Sequence, residues 1–201
     1  MNVTMFKDIK SSTPIHIDIE RALSRVKTGG KNGSLIDVIT DIRNGNKSRK
    51  SELPIVLFSG EFSDRKDDSI FNHSGYIVLD FDHVNNIEEA KRSLSTDDYV
   101  YACWVSPSGN GLKSLVEVTN PERHRDHFRA LQTYFYKQYN LELDASGINE
   151  ARACFESYDP DVVIKDSSKK FGAFLSEKSE SQDAVSSDIY TDYMKLNIAA
   201  K

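Results

Sequence analysis

Two aspartates separated by one residue close an otherwise apolar stretch, Tyr76 to Val84, which reads YIVLDFDHV. Successive side chains of a strand point to opposite faces, so Asp80 and Asp82 share one face. Two ionised carboxylates roughly 4–6 Å apart repel each other by on the order of a few kcal/mol at a protein surface. A bound divalent cation is the usual compensation, and a strand that simply ends in a polar turn is the alternative. Replacing either aspartate by alanine is then expected to raise stability slightly in metal-free buffer.

A glycine-rich turn followed by a lysine is the second candidate for chemistry, in the stretch SPSGNGLK. Ser108, Gly109, Asn110 and Gly111 form a turn whose backbone amides can approach phosphate oxygens closely, because glycine has no side chain in the way. Lys113 adds a cation for the same anion. The alternative is an ordinary hairpin turn that uses Gly and Asn at positive φ.

A third carboxylate is needed if two metal ions are to be held, and Asp144 in LELDASG is the candidate. Arg152, in INEARACF, is expected on the strand that follows. Arginine can bind a triphosphate through two parallel hydrogen bonds, which lysine cannot do. An Asp–Arg surface ion pair is the alternative for these two residues.

The elements around these residues follow the order β-α-β-β-α-β, which predicts a ferredoxin-like or RNA-recognition-motif (RRM-like) α+β fold. In such a fold the first and third strands are neighbours, so the aspartates should lie beside the start of LKSLVEV. Pro121 is predicted to open the long second helix, with Phe128, Leu131 and Phe135 facing the core. The predicted segments are a strand at 76–82, the helix NNIEEAKRSLS, a strand at 99–106, the strand LKSLVEV, the helix from Pro121, and a fourth strand near ARACFESY.

Two short helices and a strand are predicted ahead of this unit: IDIERALSRVK, SLIDVITDIR and LPIVLFSG. Gly29 and Gly30 are expected to end the first helix and Ser34 to cap the second. We therefore predict one catalytic domain at 1–175, with an N-terminal extension at 1–60 and an RRM-like core at 70–165. Residues 176–201 are polar and are interpreted as a linker or tail that could lead to a helicase or another domain in a longer parent chain.

Bulk properties favour a protein of the cytoplasm that does not enter membranes. No apolar run approaches the roughly 20 residues of a membrane span, and no signal peptide is visible at the N-terminus. The two cysteines, Cys103 and Cys154, have apolar or aromatic neighbours and are predicted to be core residues rather than a disulfide.

The net charge of −5 argues mildly against extensive coating by nucleic acid, but positive charge is concentrated locally. The stretch RNGNKSRK contains Arg43, Lys47, Arg49 and Lys50 and no acidic residue. Together with Arg65 these residues are the candidate nucleic-acid-binding patch. A solvated loop is the alternative.

Three of the stretches quoted above resemble, in order and spacing, the three motifs of the archaeo-eukaryotic primase superfamily: VLDFD, SPSGNGLK and DASGINEARACFESYDP. The likeness extends over roughly Phe6 to Ile164 and is greatest to the VirE N-terminal-like primase-polymerase domains of phages and mobile elements. It implies that Asp80, Asp82 and Asp144 hold Mg²⁺ or Mn²⁺ in a two-metal site, with the SGNGLK loop on a nucleoside triphosphate. Many members carry histidine where this chain has Lys113, which puts in doubt any role that needs a titrating imidazole.

The expected function is therefore that of a DNA primase-polymerase. Such an enzyme uses nucleoside triphosphates to make or extend primers on a single-stranded DNA template, in the replication of a phage or mobile element in the host cytoplasm. A replicative helicase, fused or separate, is the expected partner. Two alternatives stay open: a non-catalytic module on the same fold that binds single-stranded nucleic acid, and a phosphatase of the haloacid-dehalogenase type, which VLDFD also resembles.

Overall fold

The computed structural model describes residues 1–176, so the predicted tail lies outside the described part from residue 177 onward. Numbered in chain order, its strands are β1 Asn2–Phe6, β2 Ile15–Asp18, β3 Ile55–Leu57, β4 Gly60–Phe62, β5 Ile70–His73, β6 Tyr76–Phe81, β7 Val100–Val105, β8 Leu112–Glu117, β9 Cys154–Phe155 and β10 Val163–Ile164. Its α-helices are α1 Ile19–Thr28, α2 Ile36–Arg43, α3 Ile87–Thr96 and α4 His124–Tyr139. The strands pair antiparallel in every described sheet, and the predicted α+β class is confirmed.

The central sheet has the strand order β10-β7-β8-β6. β6 pairs with β8 along its whole length and sets Asp80 opposite Lys113, as predicted from the neighbourhood of the first and third strands. The helices α3 and α4 cover one face of this sheet, where the rings of Phe81 and Phe135 meet edge to face with centroids 5.4 Å apart. The apolar residues that alternate with the aspartate thus hold β6 against the helices.

The prediction of a fourth strand near ARACFESY is wrong about the sheet to which it belongs. β9 does form there, but it pairs with β3 in the N-terminal sheet. The fourth strand of the central sheet is β10, which joins at the β7 edge. The β6 edge instead receives a single bridge between Phe81 and Leu143. An apolar two-residue strand carries no local signal for its partner, so packing against the equally apolar β3 decided its place.

The N-terminal segment forms a second sheet with the strand order β2-β1-β3-β9. Of its strands, β1 and β2 were not predicted, although the apolar alternation in NVTMF is a weak strand signal. This sheet and α1 pack on the other face of the central sheet, in an apolar cluster that includes Val3, Leu23, Val78 and Trp104. Both faces of the central sheet are therefore covered.

The observed end of α1 matches the one predicted from the sequence, whereas the observed cap of α2 does not. α1 starts at Asp18, whose carboxylate accepts a hydrogen bond from the Glu20 amide, and ends at Gly29 in the left-handed region with φ 68°. The predicted cap of α2 by Ser34 is wrong. Leu35 occupies the cap position without a side-chain hydrogen bond, and Ser34 lies in the preceding turn.

The helix α4 begins later than predicted, because Pro121 opens a separate 3-10 turn that ends at Arg123. Its predicted core residues Phe128, Leu131 and Phe135 are fully buried. None of the helices within residues 1–176 is long and apolar enough to cross a membrane. Both cysteines are buried free thiols, as predicted.

Candidate metal centre

Three carboxylates converge at the end of β6. Asp80 lies on the strand, Asp82 lies just beyond its end, and Asp144 follows the segment that leaves α4. Each offers an oxygen within 4.8 Å of the other two. The Asp144 amide donates a hydrogen bond of 2.9 Å to the carbonyl of Asp80, which ties the distant segment to the strand. The chain thus joins residues far apart in sequence into one acidic cluster.

Asp80 is held in a buried ion pair. The Nζ of Lys113, on the neighbouring strand, lies 2.5 Å from one Asp80 oxygen, Oδ2. The other oxygen, Oδ1, is buried and has no hydrogen-bond partner among the described residues. Burial acts to lower the pKa of Lys113, but Cys154 and Asp80 beside it raise that pKa above its usual value overall. A buried carboxylate oxygen without a partner suits a hard divalent cation, which prefers oxygen ligands.

Asp144 is held ionised by a second set of partners. Its carboxylate accepts a 2.9 Å hydrogen bond from the Ser146 amide, and a guanidinium nitrogen of Arg152 lies 2.6 Å from its other oxygen. Burial acts to raise the pKa of Asp144, but the contact with Ser146 and the charges of Arg152 and Lys113 lower it overall. Arg152 lies two residues before β9 and not on that strand as predicted. The Asp–Arg pair that the sequence left as an alternative is present.

Asp82 differs from the other two carboxylates, because it is exposed and makes no hydrogen bond or ion pair among the described residues. It lies between the buried strand and His83, whose φ of 54° turns the chain away from the sheet. Asp82 is therefore the carboxylate most readily reached from solvent.

The glycine turn between β7 and β8 packs directly against the end of β6. A Cβ atom on Gly111 would lie 2.5 Å from the carbonyl oxygen of Phe81 and 3.5 Å from the Cα of Asp82. The Asn110 carbonyl accepts a 3.2 Å hydrogen bond from the Val84 amide on the other side of the aspartate. Only glycine permits this approach at position 111. The turn and the acidic cluster thus form one continuous surface, as the sequence analysis predicted.

Two residues that sequence reasoning missed fix the start of this turn. The Ser157 hydroxyl donates to the carbonyl of Val105 over 2.7 Å, and Asp159 accepts from the amide of Val105 over 2.8 Å. Asp159 is also paired with the Nζ of Lys91 at 2.6 Å, and both side chains are nearly buried. The polar stretch ESYDP, placed beside apolar segments, was the available signal, but it does not reveal which strand end those side chains contact.

The five predicted nucleic-acid-binding residues do not form a uniform patch. Arg49 is bonded to Asp41 and Glu52, and these contacts raise the pKa of its guanidinium. Arg43, at the end of α2, reaches the glycine turn and donates to the carbonyl of Ser106 over 3.3 Å. Its charge therefore lies beside the candidate phosphate loop.

The other three basic residues are placed differently. Lys47 is exposed and makes no ion pair among residues 1–176, whereas the Nζ of Lys50 lies 5.0 Å from the ring centroid of Phe155. Arg65 donates to the carbonyl of Ile9, well removed in sequence from the RNGNKSRK stretch. Of this set, only Arg49 makes an ion pair within the described residues, and Lys47 and Lys50 are the two exposed lysines.

A groove of about 900 Å³ opens beside Asp82 and Asp144. The loop after β6, the outer side of α3, the last turn of α4 and the segment before Asp144 form its walls. Tyr136, which is 54% exposed, and the amides of Asn85 and Asn140 line it. The space is in the range of a small-molecule site, and two of the three carboxylates, Asp82 and Asp144, lie on its wall.

Comparison with known proteins gives one family. The family model described as the BT4734-like N-terminal domain matches residues 48–163, which is more than half of the chain. The matched region runs from before β3 into β10 and includes all three carboxylates and the glycine turn. No curated protein and no solved structure matches this chain.

Proposed function

The chain belongs to the BT4734-like N-terminal domain family, and from its acidic cluster we propose that it is a metal-dependent nucleotidyltransferase that acts as a DNA primase-polymerase. The observation that carries the proposal is the convergence of Asp80, Asp82 and Asp144 within 4.8 Å of one another. One of these carboxylates has a buried oxygen that finds no hydrogen-bond partner within residues 1–176, and a glycine turn packs against another. Such a surface fits an enzyme that handles a metal-bound triphosphate.

In this proposal Asp80, Asp82 and Asp144 hold Mg²⁺ or Mn²⁺. A pair of such cations supplies an activated hydroxyl and neutralises charge on the leaving pyrophosphate. The hydroxyl belongs to a primer end or an initiating nucleotide on single-stranded DNA, and it attacks the α-phosphate of the incoming nucleoside triphosphate. The hydrogen bond from the Asp144 amide to the Asp80 carbonyl keeps two of the carboxylates in fixed relative positions before substrate arrives.

Lys113 and Arg152 have a second role in this scheme. In the structure, each neutralises one carboxylate of the cluster. If Asp80 and Asp144 held a cation, the ammonium and the guanidinium would lose part of their pairing and could donate to phosphate oxygens. The same two side chains thus balance the cluster without substrate and bind the triphosphate with it.

The order of the central strands supports an RRM-like catalytic core. The strands β6, β8 and β7 lie side by side in that order, and α3 and α4 pack on one face. That arrangement is the one expected for the first three strands and two helices of a β-α-β-β-α-β unit. The departure is the fourth strand, since β10 joins the β7 edge and leaves the β6 edge to the segment that carries Asp144.

The alternative functions have less support. A single-strand-binding module of this type stacks bases on aromatic side chains of an open sheet face. Here the N-terminal sheet covers that face, and Trp104 on it is buried. The phosphatase alternative requires a larger α/β sheet, whereas the described sheets are antiparallel.

The direct test is nucleotide incorporation on a single-stranded template with Mg²⁺ or Mn²⁺, with and without a primer. Asp82→Asn is the sharpest variant, because Asp82 is exposed and its loss breaks no ion pair. We expect it to abolish incorporation while the melting temperature in EDTA stays unchanged. Asp166→Asn is the matched control, since Asp166 is also exposed, makes no hydrogen bond or ion pair among the described residues and follows β10 at the far edge of the sheet. Wild-type incorporation by Asp82→Asn across a metal titration would refute the metal assignment.

Replacing Lys113 or Arg152 is expected to raise the KM for nucleotide more than it weakens binding of the template. Charged hydrogen bonds to phosphate contribute roughly 1.5–3 kcal/mol each, which is about ten- to a hundredfold in affinity. Arg152→Gln is preferable to a Lys113 variant for this measurement, because Arg152 is the more exposed of the two. Normal nucleotide binding together with lost binding of single-stranded DNA would contradict the assignment.

A further inference from the structure

Arg43 was predicted to belong to a basic patch for nucleic acid, but its guanidinium lies against the turn between β7 and β8. It ends α2, yet one guanidinium nitrogen, Nη2, donates to the carbonyls of Ser106 at 3.3 Å and Tyr158 at 2.8 Å. Its aliphatic stem lies against the glycine turn, where a Cβ atom on Gly109 would be 3.3 Å from the Arg43 Cγ. The N-terminal unit thus places one guanidinium at the outer side of the turn between β7 and β8.

Arg43 makes no ion pair among the described residues, although it is partly buried and the carboxylate of Asp159 acts on its charge. No carboxylate among residues 1–176 lies within ion-pair distance of it, in contrast to Lys113 and Arg152, which contact Asp80 and Asp144. Its Nε and Nη1 donate no hydrogen bond in the described part of the chain, although the residue is accessible to solvent. Arg43 therefore has a free cationic edge for an anion.

The backbone beside Arg43 offers further donors. Within the described residues, neither Ser108 nor Asn110 uses its amide in a hydrogen bond. Between them Gly109 has a φ of 78°, a left-handed conformation that a residue with a side chain rarely adopts. The Gly109 amide itself donates to the Ser106 carbonyl over 3.0 Å, so the amides of Ser108 and Asn110, on either side of this left-handed residue, are the two that an anion can use. At its other end the turn contacts the backbone of Asp82 through Gly111.

We propose that Arg43 and the turn at 106–111 form an anion site for the terminal phosphates of a nucleoside triphosphate. This inference rests on the proposed function, because the acidic cluster at the other end of the turn is then where the α-phosphate lies. It assigns Arg43 to the nucleotide and not to the nucleic-acid backbone. It also gives the site a cation that makes no ion pair among the described residues, whereas Lys113 and Arg152 are paired with Asp80 and Asp144.

The role as anion ligand is separable from a role in bracing the turn. Arg43→Gln keeps an amide that can donate to a carbonyl but removes the charge. Arg43→Lys keeps the charge but cannot bridge two carbonyls and an anion at once. Arg92→Gln on α3 is the matched control, since Arg92 is exposed and its side chain makes no hydrogen bond or ion pair among the described residues.

The experiment measures binding of inorganic triphosphate, a nucleoside triphosphate, a nucleoside monophosphate and a single-stranded oligonucleotide by calorimetry, first in EDTA. We expect Arg43→Gln to weaken both triphosphates by about ten- to a hundredfold. Arg43→Lys should lie between it and the wild type. The monophosphate, the oligonucleotide and the Arg92→Gln control should change by less than about threefold.

Three outcomes would overturn the anion site: a wild-type protein that does not bind inorganic triphosphate, an Arg43→Gln variant that binds it normally, or a loss confined to the oligonucleotide. Equal losses in Arg43→Gln and Arg43→Lys with a lowered melting temperature would also overturn it, because they indicate bracing alone. The proposed function fails separately. Charge-dependent triphosphate binding without nucleotide incorporation refutes only nucleotidyl transfer, and incorporation with an unchanged nucleotide KM in Arg43→Gln refutes only the anion site.

Discussion

Removing the Asp80 carboxylate should destabilise the protein, although the sequence alone predicted a slight gain. Lys113 is almost buried, with 8% of its side chain exposed, and Asp80 is its ion-pair partner. In Asp80→Ala the ammonium stays buried and loses its ion-pair partner, and the Asp144 carboxylate that also acts on it is already paired with Arg152. The desolvation of an unpaired charge exceeds the relief of repulsion between Asp80 and its neighbouring carboxylates, so the sign of the effect reverses.

The expected size follows from the exposure of the two partners. Removing one member of a buried ion pair costs about 3–5 kcal/mol. Asp80 retains 18% side-chain exposure, so water can reach the pair in part and the low end, about 3 kcal/mol, applies here. For a domain of this size each kcal/mol corresponds to roughly 2–4 °C, so the melting temperature should fall by about 6–12 °C.

The assay is urea and thermal unfolding in EDTA for three variants. Asp82→Ala is the control, because it removes the same charge from an exposed position without an ion pair, and we expect a change within about 0.5 kcal/mol. The double variant Asp80→Ala, Lys113→Met should recover most of the loss, since both charges are then absent. If Asp80→Ala is as stable as Asp82→Ala, or if the double variant recovers nothing, the ion pair does not have the strength we assign to it. Added Mg²⁺ or Mn²⁺ should raise the melting temperature of the wild type and not of Asp82→Ala.

Three further predictions concern other parts of the site. Burial lowers the pKa of His124 from 6.5 to about 4. The unfolded chain therefore binds a proton at a higher pH than the folded protein does. The free energy of unfolding should fall by up to about 3 kcal/mol as the pH drops from about 6.5 to about 4. His124→Gln should reduce that slope in unfolding curves, and an unchanged slope would contradict it. Gly111→Ala should lower the free energy of unfolding in urea by about 1–3 kcal/mol, because its methyl group would overlap the Phe81 carbonyl. A variant as stable as the wild type would show that the turn can shift without cost. Neutralising Lys47 and Lys50 together should lower the slope of log template affinity against log salt by about 1.4, at about 0.7 for each phosphate contact, and an unaltered slope would move the template path elsewhere.

Local pattern was enough for the parts of the site that depend on neighbours in sequence. Alternation along YIVLDFDHV places Asp80 on the face of β6 opposite the helices, and the periodic apolar residues of α4 identify its buried side. The short connection between β7 and β8 predicted the turn beside the aspartates. These features follow from backbone geometry within one element or across one hairpin, so they can be derived from the residues themselves.

Contacts between distant segments were decided only by the tertiary structure. The sequence assigned Lys113 and Arg152 to the triphosphate and Arg43 to the nucleic acid, but the fold pairs the first two with carboxylates and places Arg43 against the glycine turn. It also sends β9 to the N-terminal sheet, which covers the face of the central sheet that carries Asp80. The physical reason is that the strength of an ion pair and the partner of a two-residue strand depend on desolvation and packing. Both are set by which surfaces meet after the chain has folded, and no local spacing of residue types encodes them.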